Sequence, residues 1–203
     1  METIVICFAP VKERSKLRTL MEEYSTKTGS LKALIFPPHL TIVSRFKTEK
    51  YHEFLARFKK ECKNFSPLEL ETENIFSLED TGLVALRFKD DAELSRIHQK
   101  MLELASEFKE PWVRDKLLAV SMNDRQKELV DRYGSPFVLE YYHPHLSLTG
   151  ADVDRQKVKN LNLPLPYKLK LTMNVLHIMR RTGDEWTLDH EESFPNKKLK
   201  KES

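Results

Sequence analysis

The sequence has little that would staple it from outside. Only two cysteines occur in 203 residues, Cys7 and Cys62, and neither sits in a metal-ligand spacing. This excludes a disulfide framework and points to buried free thiols in a reducing compartment. Glycine is scarce at five copies, and the ten prolines are scattered, so no flexible low-complexity linker divides the chain. An excess of one charge is also missing, since 34 basic against 31 acidic residues leave only +3. That balance excludes a protein that coats nucleic acid by sheer positive charge, while leaving room for a local basic groove. No long hydrophobic run exists. The stretch "IVICFAPV" is too short to cross a bilayer, and it lacks the basic leader and small-residue cleavage site of a signal peptide. The expectation is a cytoplasmic monomer with no membrane contact.

What is present is the composition of a folded domain, 40% apolar and 32% charged. One domain is expected over 1–194, followed by a disordered basic tail over 195–203, which carries "NKKLKKES". The β-branched run 3–10 reads as a buried strand. Leu17, Leu20, Met21 and Tyr24 recur with helical spacing before Gly29. A strand is expected at 39–46, a helix at 51–63, and an antiparallel pair at "PLELETENIFSL" and "LVALRFK" around "EDTG". Leu94, Ile97, Met101, Leu102, Ala105 and Phe108 mark a helix over 91–108, capped by Asp90 or Asp91. After the aperiodic "WVRDKLLAVSMN", a short helix ends at Gly134. "HLSLTG" is again a strand, 152–160 a short helix, and Pro164 and Pro166 a break. A strand pattern from 168 and "EWTLDHEESF" form a closing hairpin. This order implies an α+β fold, largely antiparallel, with helices on the outer faces.

One local pattern occurs twice. "PPHLTIVSRF" at 37–46 and "YHPHLSLTG" at 142–150 share Pro-His-Leu, then a hydroxyl residue, then an aliphatic one. With ten prolines and seven histidines in 203 residues, chance yields roughly a third of one Pro-His pair before any further match is required. In a strand, residues i and i+2 share a face. His39 and Thr41 therefore point one way and Leu40 the other, and His145 and Ser147 do the same against Leu146. Pro38 and Pro144 preset an extended entry. Two such strands would gather two imidazoles and two hydroxyls around one small volume. That set suits phosphate ester chemistry, in which a base acts on the attacking oxygen, an acid on the leaving oxygen, and hydroxyls hold the non-bridging oxygens.

The paired H-x-[T/S]-hydrophobic motifs resemble the two-histidine (2H) phosphoesterase superfamily, which includes RNA 2′,3′-cyclic phosphodiesterases historically called 2′-5′ RNA ligases. The resemblance covers most of the chain and departs at 111–139, which reads as an insertion. It implies two pseudo-symmetric lobes of antiparallel sheet with outer helices and an active-site groove between them. It also implies His39 and His145 as the catalytic pair, the second leaning to base and the first to acid, with Thr41 and Ser147 on the phosphate. The implied substrate is an RNA terminus or small nucleotide carrying a 2′,3′-cyclic phosphate, opened without cofactor or metal. Alternatives are a 2′-5′ oligonucleotide, an ADP-ribose cyclic phosphate, or a non-catalytic RNA- or nucleotide-binding module using the same groove.

Further residues follow from position. Arg45 shares the parity of His39, Thr41 and Val43 if the strand is regular, and would then bind phosphate. Tyr142, with Tyr141 and Phe8, could stack a base. His143 and His145 have a metal-like H-x-H spacing, but no second ligand cluster accompanies them. His52, His98 and His190 are expected at the surface, and His177 as a lining residue.

Overall fold

The computed structural model describes residues 2–78, 82–111, 121–150, 152–162, 168–183 and 185–195. The proposed tail beyond Pro195, most of the aperiodic stretch and the Pro164–Pro166 break lie outside them. In chain order the elements are β1 (Glu2–Phe8), α1 (Val11–Thr28), β2 (His39–Lys47), α2 (Tyr51–Cys62), β3 (Leu68–Ser77), β4 (Val84–Phe88) and α3 (Ala92–Phe108). There follow α4 (Asp124–Tyr133), β5 (His145–Ser147), α5 (Arg155–Lys159), β6 (Lys170–Met173), β7 (Val175–Thr182) and β8 (Glu185–Ser193). Helix ends follow side-chain chemistry. Gly29 stops α1 in the left-handed region at φ 73°. The Asp91 carboxylate accepts from the Leu94 N–H at the start of α3, and Asn123 and Gln126 form a capping box on α4.

All eight strands form one antiparallel sheet in the order β6-β3-β4-β5-β2-β1-β7-β8. It divides into two quartets that meet where β5 pairs with β2. Each inner strand pair is built by the same run, β1-α1-β2 in one half and β4-α3-β5 in the other. This is the two-lobed α+β arrangement that the motifs implied. The single strand expected from 168 is instead two. β6 pairs with β3 at one end of the sheet, and β7 pairs with β1 and β8 near the other. Only Asn174 separates β6 from β7, and adjacent Cα atoms are about 3.8 Å apart. The sheet must therefore curl until its two ends approach.

One face of the sheet is dry. Cys7, Leu40, Ile42, Leu86, Phe88, Leu146 and Ile178 join Leu17, Phe54, Phe58, Leu94, Ile97 and Met101 of the helices in one buried cluster. Both cysteines are free and buried, and burial pushes the Cys7 thiol up to about 12. His98, expected at the surface, is instead 3% exposed. It lies four residues after Leu94 and four before Leu102, on the same buried stripe of α3. His52 is exposed as expected, while His190 is half-buried beside Glu192.

A polar staple joins the loops leading into β2 and out of β5. The Asp152 carboxylate accepts from the Ser30 hydroxyl at 2.7 Å and from the N–H groups of Leu31 and Lys32. The Ser30 hydroxyl in turn accepts from the Gly150 N–H at 2.7 Å. A Cβ at Gly150 would stand 2.5 Å from Asp152 Oδ1 and 2.7 Å from Lys32 Cβ, so there is no room for one. Gly150→Ala should cost about 1–3 kcal/mol in urea unfolding. An unchanged midpoint would show that the staple carries no stability.

Candidate active site

The pairing of the two central strands sets the site. Leu40 stands opposite Leu146, so antiparallel register puts His39 across from Ser147 and Thr41 across from His145. Directly opposed Cβ atoms lie roughly 5 Å apart and diagonal ones about 7–8 Å. The two imidazoles are thus diagonal neighbours with the two hydroxyls on the other diagonal. Leu40 and Leu146 are 4% and 1% exposed and anchor the seam from the dry side. All four polar residues are half-buried.

The two rings are held in the same way. His39 Nδ1 lies 2.9 Å from the Pro37 carbonyl, and His145 Nδ1 lies 2.7 Å from the His143 carbonyl. A carbonyl only accepts, so each neutral ring must carry its proton on Nδ1 and keep its lone pair on Nε2. The proline between each carbonyl and its histidine makes that local bond possible, because it fixes an extended entry. Burial lowers the pKa of both rings below the ordinary 6.5, against an opposing pull from each carbonyl. A proton on His145 further disfavours one on His39, and a proton on His143 disfavours one on His145.

The surroundings of the two histidines differ. Phe8 stands opposite His39 on β1, and Arg87 stands opposite His145 on β4. Phe36 lies 5.5 Å and Phe8 6.5 Å from the His39 ring, whereas Phe76 lies 6.2 Å from His145. His177 packs on Phe8 at 4.6 Å and is only 6% exposed, so it backs the wall and does not line it. Arg87 is tied to Glu73 at 3.1 Å and Asp90 at 3.6 Å. Phe36, Phe76 and Arg87 were missed in the sequence. Arg87 carried a readable signal, as the one charge inside "LVALRF", alternating away from Val84, Leu86 and Phe88.

Two expected binding residues are not brought to the pair. The alternation of β2 breaks at Ile42, an extra residue between the pairs Ile6–Thr41 and Val5–Val43, and Val43 turns into the dry core. A second shift before Phe46 restores the parity. Arg45 therefore does reach the site face, but six residues from His39, up to about 20 Å along the strand. There it lies 3.7 Å from Glu2 and 5.4 Å over the Trp186 ring. Tyr142 stacks one ring face on His98 and donates its hydroxyl to the Thr41 carbonyl at 2.9 Å. One ring face is thus covered by His98, and the residue remains partly exposed. Among the described residues, no group of three or more His, Cys, Asp or Glu is placed to hold a metal, and no helix is long and apolar enough to cross a membrane.

The model of the family DUF1045, a protein of unknown function, matches residues 44–178. The chain belongs to the DUF1045 family. Within this DUF1045 protein the match includes His145 and Ser147 and begins after His39 and Thr41. No curated protein matches it by sequence. Its fold is shared with solved structures. TT0787 of Thermus thermophilus superposes with a TM-score of 0.60 at 15% identity, covering 97% of this chain and 100% of that one. E. coli LigT in complex with 3′-AMP gives 0.55 at 11% identity, over 95% and 97% of the two chains. A further structure described as a phosphoesterase gives 0.55 at 10%, also over 95% and 97%. The resemblance to two-histidine phosphoesterases is thus matched at the level of fold along nearly the whole DUF1045 chain.

The ring geometry makes a direct prediction. Nitrogen NMR at pH 7 should find both His39 and His145 neutral with the proton on Nδ1, and both should titrate below 6.5. A midpoint above that value for both rings, or a proton on Nε2, would contradict the description of the site.

Proposed function

We propose that this protein is a metal-independent phosphodiesterase that opens a 2′,3′-cyclic phosphate on an RNA terminus or a small nucleotide. The observation that carries the proposal is the diagonal pair of imidazoles, each with Nδ1 tied back to a carbonyl and Nε2 left for proton transfer. E. coli LigT, which shares the fold, has been crystallised with phosphate, ATP, NADP+ and 3′-AMP. That ligand set agrees with a site that accepts nucleotide phosphates.

In the proposed reaction, the neutral imidazole of His145 takes a proton from water as the water oxygen bonds to phosphorus. The opposite ring P–O bond breaks, and protonated His39 gives its Nε2 proton to the departing ribose oxygen. Thr41 and Ser147, on the other diagonal, donate to the non-bridging oxygens, where charge is held in the transition state. The nucleobase would lie toward Phe36 and Phe8, the apolar end of the site.

Each histidine to alanine change, His39→Ala and His145→Ala, should lower kcat by about 10²–10⁴-fold, with the fold retained by circular dichroism. Thr41→Val and Ser147→Ala should each cost about 10²-fold. Turnover needs one protonated and one neutral ring, and both pKa values are depressed. The protonated acid therefore becomes scarce as pH rises, and kcat/KM should peak below pH 6.5 and fall through neutrality. EDTA should leave the rate unchanged. Full activity in either histidine variant, or tight binding of a cyclic nucleotide with no turnover at any pH, would overturn the proposal.

A further inference from the structure

Behind the two histidines lies a buried polar device that the proposed reaction does not use. The Ile42 carbonyl accepts from His98 Nδ1–H at 2.7 Å. Ile42 is the extra residue of the β2 bulge, so it has no partner residue on β1. The other ring nitrogen, Nε2, accepts from the Leu139 N–H at 3.2 Å. Both bonds are made only by the neutral Nδ1–H tautomer, and burial lowers the pKa of His98 to about 4, so that form prevails at neutral pH. The His98 ring also stacks on Tyr142 with centroids 3.7 Å apart and planes within 3°. The Tyr142 hydroxyl returns to the next carbonyl of the bulge, that of Thr41.

These contacts reach both half-sites. On β2 they hold Thr41 and Ile42, just after His39. On the other side they hold Leu139 and Tyr142, just before His143, whose carbonyl orients the His145 ring. Leu139 has φ 54°, a left-handed conformation that costs a non-glycine residue about 1–2 kcal/mol. Its N–H donates to His98 and its carbonyl accepts from the Tyr142 N–H at 2.9 Å, so His98 and Tyr142 both bond to it. Leu40–Leu146 is a single cross-strand pair and β5 has only three residues, so the strands alone provide little to hold the spacing of the two rings.

We infer that His98 and Tyr142 form a clamp that sets the separation of the His39 and His145 rings, as positioning residues behind the site. The inference rests on the phosphodiesterase reading for its kinetic consequence, but not for its structural one. Tyr142→Phe removes one hydroxyl from the clamp and preserves the ring. His98→Asn keeps a donor for Ile42 and loses the acceptor for Leu139. In both, the ring resonances and titration midpoints of His145 should move, while those of exposed His52 stay. With a cyclic nucleotide as substrate, kcat should fall about tenfold or more with KM unchanged, since displacements of an ångström can cost up to about 10²-fold. Should His98→Asn not fold, Tyr142→Phe decides alone. Wild-type resonances for both catalytic-pair histidines in folded Tyr142→Phe would overturn the clamp, as would a kcat within twofold of wild type. If the wild-type protein turns over no substrate, the function proposal fails, and the ring titrations still test the clamp.

Discussion

The pairing of Leu40 with Leu146 is the constraint on which the site depends. Among the described residues it is the one register pair between β2 and β5, and it joins the two halves of the sheet. Once those two leucines are buried together, the two-residue period of a strand leaves no choice for their neighbours. His39, Thr41, His145 and Ser147 must emerge on the opposite face, in a square with the histidines on one diagonal. Losing either leucine from such a packed position typically costs about 2–5 kcal/mol. The hydrophobic core therefore also fixes the register of the two imidazoles, on one face and on one diagonal.

The second constraint is local and is written into each motif. A proline before the histidine sets an extended entry, and the carbonyl two residues back fixes the ring tautomer. Each half-site is thus pre-organised before the two meet. The halves then differ in what surrounds the ring, with Phe8 and Phe36 at His39 and Arg87 at His145. The frame is thus pseudo-symmetric while its walls are not.

Much of this was legible in the sequence, for physical reasons. The duplicated motif, the strand parity around it, the helices of 11–28, 51–62 and 92–108 and both hairpins follow from periodicity and caps. The failures came where a contact overrides a period. Ile42 is an extra residue in its strand, and nothing in "HLTIVSRF" shows that the alternation slips there. Arg45 reaches the site face only because a second slip cancels the first. His98 looked polar and hence exposed, but its two ring nitrogens are both satisfied by backbone groups of distant segments, which no local pattern shows. Tyr142 was read as one of three aromatics that could stack a base, and its parallel contact with His98 joins segments that no local pattern connects. The joint at Asn174 was missed since Val175 continues the apolar alternation of Leu171 and Met173 across it, although the core-facing parity changes to Leu176 and Ile178 in β7 and the two strands pair near opposite ends of the sheet.

The central claim is that two remote motifs form one phosphate site. Titration of the wild-type protein with inorganic phosphate, followed through the ring resonances of His39 and His145, tests it without assuming any substrate. Both rings should shift together along one binding curve, and both pKa values should rise as the anion stabilises the protonated forms. A response from one ring alone, or two curves with separate dissociation constants, would contradict it.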